Sequence, residues 1–191
     1  FEPVGGLPNA GRVYILFGGI GGLDSTGFVG LTQFDAGDVS EADDEFGAAL
    51  ATGDFDGDGD DDLAIGSPGE DSGAGAVFYV LSDGTGVKGP GGVFRQSTLG
   101  GTDTAGDRFG EALAAGNLFG EASDDIAAGA PFRDVDGTSN AGSVTLIQGS
   151  ASGPTATGAV QYSAPDVPGR LAETDGNFGK ARYLLRVVTP A

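Results

Sequence analysis

The stretch GDFDGDGDDDLAIGSP, residues 53–68, places six aspartates within nine residues and then continues into an apolar run. Carboxylates so close together repel one another unless a cation lies among them. Five of them stand at alternating positions, with Gly59 where a short loop needs a tight turn, and calcium accepts six to eight oxygen ligands. We therefore predict a calcium site whose ligands are Asp54, Asp56, Asp58, Asp60 (through its carbonyl) and Asp62.

Other interpretations of this acidic loop fit the residues less well. A helix–loop–helix calcium site needs a bidentate glutamate at its twelfth position, but the twelfth residue from Asp54 is Ile65, inside the apolar run. Magnesium prefers a strict octahedron that retains waters, and transition metals favour histidine and cysteine, which the chain lacks. A solvated acidic turn without a metal is the remaining alternative.

The same landmarks recur along the chain. Residues 44–68 (DEFGAALATGDFDGDGDDDLAIGSP) align without a gap to residues 107–131 (DRFGEALAAGNLFGEASDDIAAGAP), and a third Phe-Gly pair begins at Phe178. Self-similarity at a fixed spacing indicates a repeat architecture. A second apolar run follows an Ala-Gly pair in NAGRVYILFG at 9–18, GAGAVFYVLS at 73–82 and NAGSVTLIQG at 140–149.

Each unit has the pattern of four short strands. The third-strand runs, Val13–Phe17 and Val77–Leu81, are apolar on both faces, which indicates cover on both sides. Small residues dominate the first two strands, as expected where sheets converge on a crowded axis. We predict an all-β fold, a β-propeller of four-stranded antiparallel blades, with a stacked β-solenoid as the runner-up. The strands of the first complete unit are predicted at 48–52, 63–66, 76–81 and 93–98.

The motifs carry a resemblance to a known family. Phe46-Gly47 and Phe109-Gly110, followed by Gly66-Ser67-Pro68 and Gly129-Ala130-Pro131, resemble the FG-GAP repeats of the integrin α-subunit propeller and its bacterial or archaeal relatives. The resemblance implies a seven-bladed propeller and calcium in the loop between the first two strands of some blades. At this spacing 191 residues supply about three units, which predicts a partial or fragmentary propeller.

The repeat spacing divides the chain into four segments. Residues 1–30 are predicted to be the second half of a blade, and residues 31–98 a complete FG-GAP repeat with the calcium loop. Residues 99–160 are predicted to be a repeat with a degenerate loop. Residues 161–191 are predicted to start a further repeat, and their C-terminus, KARYLLRVVTPA, departs from the pattern.

Two further loops contain residues that can bind a cation. In the second unit the positions of the calcium ligands hold Asn117, Phe119, Glu121, Ser123 and Asp125. This loss of carboxylates predicts a loop without calcium, in which Phe119 packs inward. Residues 134–140 contain Asp134, Asp136 and Asn140, for which a turn closed by side-chain hydrogen bonds is the favoured prediction and a weaker cation site the alternative.

Composition limits the partners and the chemistry. A net charge of −19 repels nucleic acid and attracts cations. No apolar run approaches the roughly 20 residues of a membrane helix, so no membrane insertion is expected. The chain has neither cysteine nor histidine, which rules out disulfides and a Ser-His-Asp triad. We therefore expect no enzyme.

Two functional classes follow from these patterns. The resemblance implies a calcium-binding extracellular or cell-surface module for adhesion, which binds a protein or glycan ligand of unknown identity. Its ligand loops would be residues 41–45, 69–74, 103–108 and 132–141. The alternative is a structural subunit that self-associates through open blade edges into a cell-surface or filamentous assembly, or an accessory domain of a secreted enzyme.

Overall fold

A computed structural model of the chain describes residues 1–83, 85–88 and 91–180, and these residues form three antiparallel sheets. Three 3₁₀ turns and one short helical turn, α1, lie between the strands. The strands are β1 (Val13–Gly19), β2 (Gly22–Leu31), β3 (Ala49–Gly53), β4 (Asp62–Ser67), β5 (Ala76–Val80), β6 (Gly92–Phe94), β7 (Ala112–Gly116), β8 (Asp125–Ala130), β9 (Ser143–Gln148) and β10 (Thr155–Ser163). The turns are Gln33–Ala36, α1 (Glu70–Gly73), Ser97–Leu99 and Ala164–Asp166.

Two of the sheets have four strands each, in the order of the chain. The first is β3-β4-β5-β6, and the second is built from β7 to β10 in the same sequence. Every neighbouring pair is antiparallel, the arrangement that results when each strand turns back and pairs with the next one along the chain. The architecture is all-β and is that of a partial β-propeller, as predicted.

The fourth strand of the first complete unit is shorter than the sequence suggested. It was predicted at 93–98, but β6 ends at Phe94 and residues Ser97–Leu99 form a 3₁₀ turn. Gly100 ends that turn with a φ of 87°, a left-handed conformation that glycine adopts without steric cost. The chain therefore leaves the sheet early in order to reach the next one.

The three sheets pack face to face around two apolar cores. Between the β1–β2 sheet and the β3–β6 sheet lie Val13, Leu31, Phe46, Ile65 and Phe78. The second core lies between the two four-stranded sheets and includes Phe55, Val77, Phe94, Phe109, Ile126 and Ile147. Alanines on β3, β4, β7 and β8 allow the innermost strands to approach each other, as the sequence predicted.

A backbone contact joins each unit to the next, and we call it the Ala-Gly/Phe-Gly joint. The amide of Phe46 donates to the carbonyl of Ala10 at 3.0 Å, that of Phe109 to Ala74 at 3.0 Å and that of Phe178 to Ala141 at 2.9 Å. The glycine after each alanine leaves no room for a side chain. A Cβ on Gly75 would lie 2.2 Å from the carbonyl oxygen of Phe109, so the spacing of the motifs in the sequence reflects direct contact.

The first sheet has fewer strands than the other two. In the part of the chain that the structure describes, β1 pairs only with β2. Cover on both sides was predicted for Val13–Phe17, but Tyr14 and Leu16 are 46% and 44% exposed. The other run, Val77–Leu81, is largely buried as expected. The atypical C-terminus lies, apart from Lys180, outside the described residues.

Candidate metal centre

The acidic loop connects β3 to β4 and folds back on itself through its own carboxylates. Asp54 accepts hydrogen bonds from the amides of Asp58 and Gly59, both at 3.0 Å. Asp58 in turn accepts from the amide of Asp60 at 3.0 Å. Gly57 and Gly59 have φ values of 74° and 98°, which bend the loop as the glycine spacing predicted.

Three carboxylates converge inside this loop. Asp54, Asp56 and Asp58 each place one oxygen within 4.8 Å of the other two. Oxygens on opposite sides of a calcium ion are about 4.6–5.2 Å apart, since each lies 2.3–2.6 Å from the metal. The separation therefore fits a hard cation held by the first, third and fifth positions of the loop. Asp54 and Asp56 are half-buried and Asp58 is exposed, which leaves an open side for water ligands.

The other two predicted ligands are placed differently. Asp62 is 1% exposed, and its two oxygens accept from the amides of Phe55 and Ser82, each at 2.8 Å. Burial raises the pKa of Asp62. The structure thus gives Asp62 the role of fixing the loop to β4 and β5. The carboxylate of Asp60 does not belong to the converging group. This agrees with the predicted role of Asp60, which uses its backbone carbonyl and not its side chain.

The loop is also tied to the neighbouring sheet. Phe55 lies between two of the grouped aspartates, yet its ring is fully buried in the core between the four-stranded sheets. The carbonyl of Asp54 accepts from the amide of Asp124 at 2.7 Å, and that of Phe55 accepts from Ser150 at 3.2 Å. Alternate residues of the loop therefore face a cation site and an inter-sheet core.

A lysine distant in the sequence reaches the same carboxylates. Lys88, on the connection between β5 and β6, places Nζ 3.2 Å from Asp56 and contacts Asp58 as well. Its ammonium holds the pKa of Asp58 below its usual range, while the two carboxylates raise the pKa of Lys88. Lys88 is therefore a tethered cation at the place where a metal ion would be bound.

Removing the tethered cation should strengthen metal binding. We expect Lys88→Gln to lower the calcium dissociation constant about threefold, in line with the modest strength of exposed ion pairs. Titration calorimetry against calcium measures this directly. The control is Lys180→Gln, which changes the net charge equally but lies over the Phe132 ring. If the two variants bind calcium with equal affinity, the Lys88 ammonium does not compete with calcium for these carboxylates.

The equivalent loop of the second unit is closed by an amide side chain. Asn117 accepts from the amide of Gly120 at 2.6 Å and donates to the carbonyl of Glu121. Asp125 accepts from the amides of Leu118 and Phe119 and from Gly149 at 2.7, 2.9 and 2.9 Å, as Asp62 does in the first unit. Phe119 is only half-buried. Leu118, not Phe119, stands at the position of Phe55.

Residues 134–140 form a turn held by side-chain hydrogen bonds. Asp134 accepts from the amide of Asn140 at 2.9 Å, and Val135 and Thr138 exchange backbone hydrogen bonds. Asn140 donates onward to Asp175 at 2.8 Å. These contacts give Asp134 and Asn140 the role of turn formers, and Asp136 has the positive φ of 51° that aspartate tolerates in a turn.

Two of the four predicted ligand loops, 41–45 and 69–74, lie together at the opposite end of the β3–β6 sheet, whereas residues 132–141 do not line the cavity formed there. Residues 41–45 precede β3 and residues 69–73 follow β4, so antiparallel pairing places both beyond the end remote from the acidic loop. Together with Arg108 they line a cavity of about 590 Å³. Asp71 and Ser72 have positive φ values of 51° and 62°, and the Asp71 carboxylate accepts a hydrogen bond from Arg95 at 3.1 Å.

A buried acidic cluster supports these loops. Glu70 is 3% exposed; it accepts from the side-chain amide of Gln33 and, at 2.9 Å, from Arg95. Burial, with the charges of Asp44 and Asp38, raises the pKa of Glu70 from 4.5 to about 7. In the second unit Arg133 occupies the equivalent place and donates to Gln96 at 2.8 Å, so the cluster is specific to the first joint.

This cluster makes stability depend on pH. Because the pKa of Glu70 is higher in the folded than in the unfolded chain, the native state binds more protons between pH 4.5 and 7. The free energy of unfolding therefore falls as the pH rises through this range. Urea unfolding at pH 5 and pH 8 measures this difference in the free energy of unfolding, and we expect it to be about 2 kcal/mol smaller in Glu70→Gln than in the unmodified chain. The exposed control Glu173→Gln should keep the full difference. If both variants show the same pH dependence, Glu70 is not its source.

Comparison with known proteins identifies the repeat. Residues 46–80 match the family model described as the FG-GAP repeat. This segment runs from the Phe-Gly pair through the acidic loop to the end of β5, so the chain contains an FG-GAP repeat within the unit for which it was predicted. No curated protein matches the chain. Among the described residues, no helix has the length and apolar character needed to cross a bilayer.

Proposed function

We propose that this FG-GAP repeat chain is a non-catalytic, calcium-binding module that acts outside the cell or at its surface. The observation that carries the proposal is the convergence of Asp54, Asp56 and Asp58, whose oxygens lie within 4.8 Å of one another. That separation matches the coordination distances of calcium. A net charge of −19 favours the approach of divalent cations and disfavours nucleic acid.

Calcium in this loop would stabilise the contact between the four-stranded sheets. The loop presents its aspartates to the ion and Phe55 to the inter-sheet core, and it is bonded to Asp124 and Ser150 of the next unit. An ion that fixes the loop thereby fixes the position of Phe55. The role of the metal is structural: it holds neighbouring sheets in the arrangement that presents the loops at the opposite end.

Calcium should therefore raise the stability of the chain. At free calcium 100 times the dissociation constant, binding to the folded state alone adds about 2.7 kcal/mol. We expect the melting temperature to fall in chelator and to recover with calcium. Asp58→Asn should lose most of this response, because Asp58 belongs to the converging group.

The matched control for this measurement is Asp61→Asn. Asp61 is exposed, adjacent in sequence and outside the converging group, so its substitution changes the charge equally and should leave the calcium response intact. Equal responses of the two variants, or no response of the unmodified chain, would refute the calcium site.

The proposed ligand surface is formed by the loops around Glu41–Glu45 and Gly69–Gly73. Their cavity of about 590 Å³ is lined by five carboxylates and by Arg108, which suits a basic segment of a protein or a hydroxyl-rich glycan. Binding assays with immobilised glycans and basic peptides, repeated with Arg108→Gln and Asp71→Asn, test this surface. Binding that neither substitution alters would place the ligand elsewhere.

A further inference from the structure

The loop that leads into each Ala-Gly/Phe-Gly joint occurs in three copies of different length. In every copy the amide of the joint glycine donates to a carbonyl at the start of the loop: Gly11 to Glu2 at 2.9 Å, Gly75 to Glu70 at 3.0 Å and Gly142 to Arg133 at 2.9 Å. This shared hydrogen bond makes the three loops directly comparable. Eight residues lie between the two partners in the first and third copies, but only four in the second.

The four additional residues form a small hairpin in each of the two long loops. Val4 and Leu7 exchange two backbone hydrogen bonds, and Val135 and Thr138 do the same. We call these two turns the joint hairpins. In the short loop, residues 70–73 form the helical turn α1 instead. The joint at Phe109 is therefore built without a piece that both other joints contain.

The long loops also share a side-chain contact with the next unit. In both of them an asparagine donates to an aspartate at 2.8 Å: Asn9 to Asp43, and Asn140 to Asp175. We call this pair the Asn-Asp clasp. At the joint at Phe109, the alignment places Gly73 at the asparagine position and Gly106 at the aspartate position. A Cβ on Gly106 would meet no atom within 4 Å, so there is free space where the clasp would lie.

The cavity of about 590 Å³ lies at this joint. Its lining includes residues 71–73 of the short loop and Arg108 of the next unit, and the loop 41–45 forms the opposite wall. The main-chain contact is nevertheless kept, because the amide of Phe109 donates to Ala74 at 3.0 Å. The opening thus comes from the missing hairpin and clasp, and not from a separation of the two units.

The chemistry of the cavity favours a cationic group. Glu41 and Asp71 are exposed, and their carboxylate oxygens lie within 4.8 Å of each other, so one ammonium or guanidinium group can contact both. The chain itself uses guanidinium groups here, since Arg95 binds Asp71 at 3.1 Å and Arg108 binds Glu45 at 2.5 Å. A glycan offers only neutral hydroxyl groups, and charge-assisted hydrogen bonds are the stronger ones.

We propose that the joint at Phe109 is the ligand-binding joint of the described chain, opened by its short loop and by Gly106, and that its cavity takes a lysine or arginine side chain of a partner protein. This inference rests on the proposed ligand surface; it names what opens that surface and what enters it. At the two other joints the hairpin and the clasp fill the corresponding space.

A loop graft tests which feature opens the cavity. Residues 71–73 are replaced by a copy of residues 134–140, and Gly106→Asp supplies the partner for the grafted asparagine. The graft rebuilds the hairpin and the clasp, yet it adds two acidic residues to the joint. Electrostatic attraction alone would therefore strengthen the binding of a basic ligand, whereas a closed cavity would abolish it.

The probes are three capped tripeptides, glycine-lysine-glycine, its arginine counterpart and its uncharged norleucine counterpart. They are titrated into the isotope-labelled full chain in saturating calcium and followed by heteronuclear NMR. We expect the lysine and arginine peptides to shift the amide signals of residues 41–45 and 69–73, and the norleucine peptide to leave them unchanged. The graft should raise the dissociation constant of both basic peptides at least about tenfold.

A second variant leaves the loops intact. Glu41→Gln combined with Asp71→Asn removes the two facing carboxylates and should also raise the dissociation constant of the lysine peptide at least about tenfold. Its matched control is Asp134→Asn combined with Asp136→Asn, which makes the same charge change beside a joint hairpin. The control should bind the lysine peptide like the unmodified chain.

The calcium response of each variant separates this inference from the proposed metal site, which lies at the other end of the sheet. Loss of the calcium response with intact peptide binding would refute the metal site and leave the ligand-binding joint in place. No signal shifts with the basic peptides, undiminished binding by the graft, or equal losses in the double variant and its control would overturn the proposal. Shifts of the same signals caused by calcium or by a glycan, and not by the basic peptides, would overturn it as well.

Discussion

Gly75→Ala is expected to lower the free energy of unfolding by about 4 kcal/mol. Gly75 has a φ of 86°, and a Cβ there would lie 2.2 Å from the carbonyl oxygen of Phe109 and 2.4 Å from its amide nitrogen. The clash is with backbone, which cannot move without breaking the hydrogen bond from Phe109 to Ala74. The substitution therefore combines a strained φ with the loss of the joint between the two four-stranded sheets.

Gly106→Ala separates these two contributions. Gly106 lies close to the same joint and has a φ of 89°, but a Cβ there would meet no atom within 4 Å. Gly106→Ala should lower the free energy of unfolding by only about 1 kcal/mol, the ordinary penalty for an alanine in the left-handed conformation. Urea unfolding in saturating calcium measures both. If the two substitutions cost the same, the joint contributes nothing beyond backbone conformation.

Phe55→Ala should lower the free energy of unfolding by about 3–5 kcal/mol, the range for removing a fully buried aromatic side chain. Its ring is 0% exposed in the core between the four-stranded sheets. The same substitution should weaken calcium binding, because Phe55 holds the loop between Asp54 and Asp56. Thermal unfolding with and without calcium, together with titration calorimetry, gives both quantities.

Phe34→Ala is the matched control for Phe55→Ala. Phe34 is 78% exposed, so its removal should change stability by less than about 0.5 kcal/mol. A Phe55→Ala protein that unfolds like this control would show that the ring adds little to the inter-sheet core. A destabilised Phe55→Ala protein with unchanged calcium affinity would separate the core from the metal loop.

The sequence predicted the sheets well because several local signals agreed. Repeated apolar runs, small residues on the inner strands and glycine-rich turns all favour short antiparallel strands. The prediction was wrong at 93–98, where the polar residues after Phe94 were assigned to the strand, but the strand ends at Phe94 and the chain turns at Ser97. It was also wrong about cover for Val13–Phe17, since burial on a second side depends on a neighbouring sheet rather than on the strand itself.

The candidate site was predicted only in part. The alternating aspartates indicated the grouping of Asp54, Asp56 and Asp58, because alternate residues of a tight loop face the same way. Lys88 could not be found, since its contact joins residues some thirty positions apart across two hairpins. The buried role of Asp62 did leave a signal: Asp125 stands at the same place in a unit whose loop has lost most other acids.

The Ala-Gly/Phe-Gly joint bears on how such a chain can change over time. It is made of main-chain atoms and of positions where no side chain fits. This part of the contact between units therefore does not depend on which side chains stand at the loops of either unit. Copies of a unit can be duplicated, exchanged or allowed to drift at their loops while the connection between them is preserved. A new surface can thus arise on one unit without a compensating change in its neighbours.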